Sequence, residues 1–302
     1  MVGSRGSRLA LRQTELVLME LQRRFPGRRF QVQEVRTTGD RRPDASLAAI
    51  GGQGVFVKEL ETALRSRRVD LAVHSLKDVP SELGSSLVLA AITEREDVRD
   101  AVVSRGRLRL TDLPSGSRAG TGSLRRTVQV KALRPDLQVV DLRGNVDTRL
   151  RKVEEGQVDA AILAAAGLAR LGYLERAAEI LDTGAMLPAV GQGALTLECR
   201  ADDAEVLQMA AALDHRETRL ATAAERAFLG RLGGGCRLPI AALGIVEGNS
   251  LRLCGLIADP QGQRVLRGET SGPASEAEAV GTELAEQLLA QGAGDLIAEA
   301  AS

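Results

Sequence analysis

Apolar positions along the first two hundred residues fall into two alternating rhythms. Over 9–24 they recur every three or four residues, which predicts an amphipathic helix. Over 30–36 (FQVQEVR) apolar and polar residues alternate, which predicts a half-buried strand. Residues 55–68 return to helical spacing, 70–74 read as a short buried strand, and 87–92 as another. The rhythm resumes with a strand at 101–104, a helix from Ser123, a strand at 137–142, a helix from Asn145 and a strand at 158–163. Strands alternating with helices predict parallel sheets covered on both faces. The stretches 1–93 and 94–193 are similar in size and rhythm and read as two α/β lobes. The last hundred residues differ. Helical patterns at 203–213 and 216–231 lead to three glycines, strand-like runs near 241–247, 251–258 and 263–268, and a helix over about 275–290. That order predicts a small α+β domain on an antiparallel sheet.

The length, 302 residues, allows two or three such domains. The longest uncharged apolar stretch, 160–169, is far short of the roughly 20 residues of a membrane span. The N-terminus carries Arg5, Arg8, Arg12 and Glu15 where a secretory signal would be apolar, so a cytoplasmic protein is expected. Three cysteines without a CxxC pair and only two histidines argue against a disulfide framework and a structural metal. Five aromatic residues are too few for base-stacking platforms. Charge changes the picture more. The chain is neutral overall, yet residues 1–193 carry a net +7 and residues 194–302 a net −7. Of the 40 basic residues all but Lys58, Lys77, Lys131 and Lys152 are Arg, the planar partner of carboxylate and phosphate. Arg richness also accompanies heat adaptation or genome composition. The basic N-terminal two-thirds points to an anionic ligand.

Three segments open predicted helices with small residues and Arg: Gly3-Ser4-Arg5-Gly6-Ser7, Gly120-Thr121-Gly122-Ser123-Leu124-Arg125-Arg126, and Leu142-Arg143-Gly144-Asn145 running on to Arg149. Helix starts offer unpaired N–H groups to anions, and adjacent guanidiniums add charge-assisted bonds. One such segment is equally an ordinary cap. Three together imply a ligand with several negative groups, a polycarboxylate or polyphosphate. A second candidate is His74-Ser75-Leu76-Lys77-Asp78, where a buried strand ends in polar residues. Asp78 there either stabilises a cation and moves protons or simply caps the turn before Pro80. A third is Cys236, in Gly233-Gly234-Gly235-Cys236-Arg237-Leu238-Pro239, an exposed loop in which Arg237 favours the thiolate and so a nucleophile or attachment point. Cys199 and Cys254, in apolar strand-like runs, read as inert core residues.

These motifs resemble the hydroxymethylbilane synthase (porphobilinogen deaminase) family over essentially the whole chain. The segments that carry the resemblance are GSRGSRLAL (3–11), TTGD (37–40), GGQGVFVKELE (51–61), DLAVHSLKDVP (70–80), EREDVRDAVVS (94–104), GTGSLRR (120–126), LRGNVDTRL (142–150), ILAAAGLARLG (162–172), LPAVGQGAL (187–195) and GGGCRLPIA (233–241). The resemblance implies a monomeric, cytoplasmic transferase of tetrapyrrole (haem) biosynthesis that condenses four porphobilinogens head to tail into hydroxymethylbilane and releases four ammonias. It implies a dipyrromethane cofactor held by a thioether at Cys236, and a catalytic carboxylate at Asp78. Ser75, Lys77, Thr121, Ser123, Arg125, Arg126 and Arg143 fall at cofactor-binding positions. Arg5, Ser7, Arg149, Arg170 and Gln192 fall at substrate-binding positions. The implied fold is two doubly wound, periplasmic-binding-protein-like α/β lobes plus a C-terminal α+β domain with a small antiparallel sheet. The implied domains are 1–93 with about 194–211, then 94–193, then 212–302 with the cofactor cysteine.

Departures from the family pattern are Gln53 and Ala49 in place of lysines, Gly122 in place of Ser and Arg8 in place of Pro. A different class of protein, a two-lobed receptor that captures a polyanionic small molecule without turning it over, fits the same lobes, with Cys236 incidental. Ammonia release or a thioether adduct separates the two. A Cys-dependent hydrolase needs a base beside Cys236, and the sequence offers no firm one.

Overall fold

The computed structural model describes residues 1–36, 57–81, 83–233 and 238–301. Two compact units result, Met1–Glu96 with Gly193–Arg219, and Asp97–Gln192 with Leu220–Ser302.

The first unit runs β1 (Val2–Ser4), α1 (Arg8–Arg24), β2 (Val32–Glu34), α2 (Lys58–Arg65), β3 (Leu71–Ser75), a 3-10 turn (Leu76–Asp78) and β4 (Leu87–Ile92). Among the described residues its sheet has the order β2-β1-β3, then Leu195–Arg200, then β4. Side chains alternate across β3, as a strand requires. Leu71 and Val73 join Val2, Val17 and Leu21 beneath α1, while Ala72 faces Leu60, Ala63 and Leu64 of α2. Each fully buried Leu or Val contributes roughly 1.5–3 kcal/mol relative to exposure.

The second unit continues with β5 (Asp100–Ser104), β6 (Arg118–Gly120), α3 (Leu124–Leu133), β7 (Gln138–Val140), α4 (Val146–Glu154), β8 (Ala160–Ala164), α5 (Ala165–Arg170) and β9 (Glu179–Ile180). Its sheet order is β7-β6-β8-β5-β9. The strand Leu195–Arg200, here β10, then returns to the first unit, followed by α6 (Ala204–Ala211) and α7 (Arg216–Arg231).

The two sheets repeat one plan. In each, four of five strands run in one direction and the other, taken from the other end of the segment, is inserted antiparallel as next-to-last. β10 lies between β3 and β4 (Leu197 opposite Val73 and Ala91), and β5 lies between β8 and β9 (Val102 opposite Ile162 and Glu179). Both sheets are therefore mixed, which corrects the expectation of parallel sheets. The hydrophobic rhythm records burial on two faces, which β10 and β5 share with their parallel neighbours, and it carries no strand direction.

The remainder is an antiparallel sheet of β11 (Ile240–Glu247), β12 (Ser250–Ala258) and β13 (Val265–Pro273), followed by α8 (Ala277–Leu288) and α9 (Gly294–Ala301). Phe228 of α7 and Leu284 and Leu288 of α8 pack with Leu251, Leu253 and Ile257 of β12. A Cβ at Gly281 would lie 2.2 Å from the Ala224 carbonyl oxygen, so α7 and α8 approach closely only because this position lacks one. Among the described residues no helix is long and apolar enough to cross a membrane.

Candidate active site

In the first unit the loop after β1 carries Arg5, Gly6 and Ser7. Ser7 caps α1, its Oγ accepting from the Ala10 N–H at 3.3 Å, and the first helical turn contains no acid to offset the helix dipole. Arg5 is half-buried beside it. The end of β3 is held from both faces. Ser75 meets Gln13 of α1, with Nε2 donating to its Oγ at 3.0 Å. On the opposite face His74 Nε2 lies 3.0 Å from Glu198 Oε2 of β10, and both residues are buried. The Leu76 N–H donates to the Ala194 carbonyl at 3.0 Å and the Val79 N–H to the Leu76 carbonyl at 3.1 Å. That framework presents Lys77 and Asp78 half-buried on a short turn. The Asp78 carboxylate makes no hydrogen bond or ion pair to the described residues, which leaves its acceptors available to a ligand.

In the second unit the equivalent loop follows β6. Thr121 is buried, its N–H donating to the Val140 carbonyl at 2.9 Å and its Oγ1 accepting from the Ser123 N–H at 3.2 Å. Ser123 is the N-cap of α3 but its side chain caps nothing, so the helix start is open to an acceptor. A Cβ at Gly122 would stand 3.1 Å from the Leu142 carbonyl oxygen and 3.5 Å from Arg143 Cζ. The turn thus lies against Arg143, whose Nε donates to Asp141 at 2.8 Å, and any side chain at 122 is crowded. Gly144 has a φ of +105°, and a Cβ there would meet Thr148 at 2.7 Å, so this turn requires glycine. Arg149 donates from Nε to the Gly144 carbonyl at 2.8 Å, and Asn145 caps α4 through the Thr148 N–H at 2.9 Å. Arg149 and Arg170, the last residue of α5, are half-buried.

Arg125 and Arg126, in the first turn of α3, do not point freely at a ligand. Both are buried against Asp100, the first residue of β5. Arg125 Nη1 donates to Asp100 Oδ2 at 2.7 Å and to the Leu187 carbonyl at 2.8 Å. Arg126 donates to Asp100 Oδ1 through Nη2 at 2.7 Å and Nε at 3.1 Å, and through Nη1 to the Ile162 carbonyl at 3.1 Å. Gln192 adds Nε2 at 2.9 Å to the same Oδ1. Burial alone would raise the Asp100 carboxyl, but the two guanidinium charges and their hydrogen bonds hold it well below the usual carboxylate range. Burial lowers Arg125, Asp100 opposes that, and Arg126 adds to it. Two cations share one carboxylate, so a single positive charge is left over out of water. Arg125 Nε, also buried, has no hydrogen-bond partner. An unmet buried donor beside surplus positive charge and an uncapped helix start is a fit for a carboxylate ligand.

Two family models match the chain. Residues 1–208 match the porphobilinogen deaminase dipyrromethane cofactor-binding domain, and residues 219–290 match the porphobilinogen deaminase C-terminal domain. The chain belongs to the porphobilinogen deaminase family. Among curated relatives, the porphobilinogen deaminase of Desulforudis audaxviator is 52% identical over 98% of this chain and 96% of its own length. That of Geotalea uraniireducens is 49% identical over 99% and 93%. Solved structures resemble the chain more remotely. The Bordetella pertussis BvgS VFT2 domain is 21% identical with a TM-score of 0.37, covering 66% of this chain and 76% of that one. The second substrate-binding domain of a putative amino acid ABC transporter from Streptococcus pneumoniae is 11% identical with a TM-score of 0.40, covering 70% and 89%.

Of the residues singled out from the sequence, Cys236 lies outside the described residues, as do Gln53 and Ala49. Within the first unit Arg5 and Ser7 stand on the loop that follows β1, Ser75 ends β3, and Lys77 and Asp78 stand on the 3-10 turn after it. Within the second, Thr121, Ser123 and Arg143 stand on the loops that follow β6 and β7, Arg149 stands in the first turns of α4, and Gln192 joins Arg125 and Arg126 around Asp100. The sequence places His74 in the candidate segment that ends β3, but it does not mark its partner Glu198 or the carboxylate of Asp100. Asp100 is separated from Arg125 by 25 positions, and only the oddity of an acid opening a buried strand marks it. The reading of Cys254 as a core residue needs correction. Cys199 is buried, but Cys254 is half-buried on β12 with its thiol donating to Glu269 Oε2 at 2.9 Å beside Arg252. Burial, and for Cys254 the hydrogen bond to Glu269, push both thiols up to about 11, so both are inert all the same.

Proposed function

We propose that the chain condenses four porphobilinogens head to tail into hydroxymethylbilane, with loss of four ammonias, primed by a dipyrromethane joined to Cys236 through a thioether. The observation that carries this reading is the Arg125–Asp100–Arg126 cluster, whose surplus charge and unmet Nε suit a ligand carboxylate. When bound, the dipyrromethane supplies the pyrrole carbon to which the first substrate unit is joined. Arg125, Arg126, Arg143, Thr121, Ser123, Ser75 and Lys77 hold its acetate and propionate groups. Arg5, Ser7, Arg149, Arg170 and Gln192 bind the carboxylates of incoming substrate. As the substrate C–N bond breaks, the electron pair leaves with ammonia and positive charge develops on the pyrrole and its methylene. Asp78, with its acceptors uncommitted, offsets that charge and takes up the proton released when the new C–C bond forms. This reading places the enzyme in the cytoplasm as a monomer, with the domains 1–93 plus about 194–211, 94–193 and 212–302.

The test is the intact mass of the denatured protein after incubation with porphobilinogen, beside a Cys236→Ser variant. An added mass of two porphobilinogens less two ammonias, absent in the variant, is expected, with ammonia released on turnover. No adduct and no ammonia would favour the receptor that only captures polyanions.

A further inference from the structure

Two guanidiniums packed side by side out of water repel one another and need a counter-charge. Asp100 supplies it, and more specifically than charge requires. Its Oδ1 accepts both Arg126 Nη2 and Nε, a fork that sets that guanidinium plane, while its Oδ2 takes only Arg125 Nη1. The Leu187 carbonyl claims the same Nη1 from the other direction. Leu187 is itself fixed by Gln129, which donates from Nε2 to its carbonyl at 3.0 Å and accepts its N–H at Oε1 at 2.8 Å. Asp100 is in turn held by Gln192. Arg125 is thereby locked with Nε left over, and the cluster is one negative charge short of neutral.

We propose that Asp100 is the positioning residue of the anion site. It orients both arginines and limits their surplus to one charge, so that the cluster takes one ligand carboxylate in one orientation. This rests on the reading that Arg125 and Arg126 hold the cofactor. A site of two uncompensated guanidiniums would bind small anions avidly and indiscriminately. A neutral site would gain nothing from a carboxylate. Asp100 sets the state between these.

The test uses the full chain with Asp100→Asn, Asp100→Glu and Arg125→Gln. Asp159→Asn, which breaks the half-exposed Arg118–Asp159 pair of the same unit, serves as the control. Two readouts are taken: the rate of cofactor loading from porphobilinogen, by intact mass, and the rise in thermal midpoint on replacing chloride by sulfate at constant ionic strength. Asp100→Asn is expected to load about tenfold more slowly or worse, in line with a misplaced binding group. Its sulfate response should be at least about twice that of the parent, because a second charge lacks a counter-ion. Asp100→Glu keeps the charge but shifts it by one methylene, so it should load slowly with the parent sulfate response. It also carries the test if far-UV circular dichroism shows Asp100→Asn unfolded. Asp159→Asn should match the parent in both readouts. Parent-like loading and sulfate response in the folded Asp100 variants, with loading lost in Arg125→Gln, would overturn the role of Asp100. Normal loading by Arg125→Gln would instead overturn the cofactor reading.

Discussion

The buried pair of His74 and Glu198 permits a sharp energetic test. The contact is 3.0 Å between side chains that are 3% and 0% exposed, and Glu198 Oε1 has no hydrogen-bond partner. Removing either residue strands the other, but unequally. In His74→Leu the carboxylate of Glu198 loses its donor while remaining enclosed, and breaking a buried pair in that way costs about 3–5 kcal/mol. In Glu198→Leu the imidazole stays with one buried nitrogen unmet, which costs about 1–3 kcal/mol. The double variant His74→Leu/Glu198→Leu replaces both polar groups with apolar ones beside Ala72 and should recover most of the loss. At about 2–4 °C per kcal/mol the His74→Leu midpoint falls by about 10 °C, and the double variant recovers more than half of that. The assay is thermal unfolding followed by circular dichroism on all four proteins. If the double variant is as unstable as the sum of the singles, the two side chains are not coupled and the pair is not what holds the end of β3. Because the Lys77–Asp78 turn begins one residue beyond Ser75, turnover per loaded molecule should fall further than stability in His74→Leu and return in part in the double variant.

Three further outcomes follow from the packing and charges. Gly281→Ala drives a methyl group to within 2.2 Å of the Ala224 carbonyl and should cost about 1–3 kcal/mol, whereas Gly294→Ala, with open space around it, should be neutral or slightly stabilising in the same denaturation assay. Asp100 is depressed in the folded protein, so its contribution is complete above the unfolded carboxyl value of about 3.9 and drains away as pH falls below it. A plot of stability against pH below 4 should therefore be steeper for the parent than for Asp100→Asn, and parallel curves would contradict the assignment. In Cys236→Ser the remaining thiols, raised to about 11, are almost wholly protonated at pH 8 and should not react with a disulfide reagent within minutes. Labelling of one equivalent would show instead that the Cys254 thiol is reactive.

Periodicity reads well where one face is buried and poorly where strands are short or their direction matters. The strand at 87–92 is found as β4 and the helix at 9–24 as α1, with Ser7 as its cap. The strand expected at 137–142 shrinks to β7 (Gln138–Val140), because the chain turns at Asp141 into the Gly144 loop. The helix starts near Ser123 and Asn145 are legible because small polar residues there precede regular apolar spacing. What the arginines touch is not legible. Local sequence places Arg125 and Arg126 at a helix start but cannot say that a carboxylate from another strand already occupies them. The same holds for Glu198, an acid in the middle of an apolar strand whose partner sits 124 positions earlier.

The position of β10 bears on how the molecule is made. The sheet of the first unit lacks the strand between β3 and β4 until residues 195–200 exist, whereas every strand from β5 to β9 lies between 100 and 180. A chain emerging from the ribosome therefore exposes the unsatisfied edges of β3 and β4 throughout synthesis of the second sheet. The usual order, in which the N-terminal unit folds first, should therefore be reversed. Nascent chains halted with β9 outside the exit tunnel and β10 still inside it should hold a protected second sheet and a protease-sensitive first one, and chaperone engagement should end when β10 clears the tunnel. The same late strand makes the first unit depend on long sequence separations, which slows its closure relative to its neighbour.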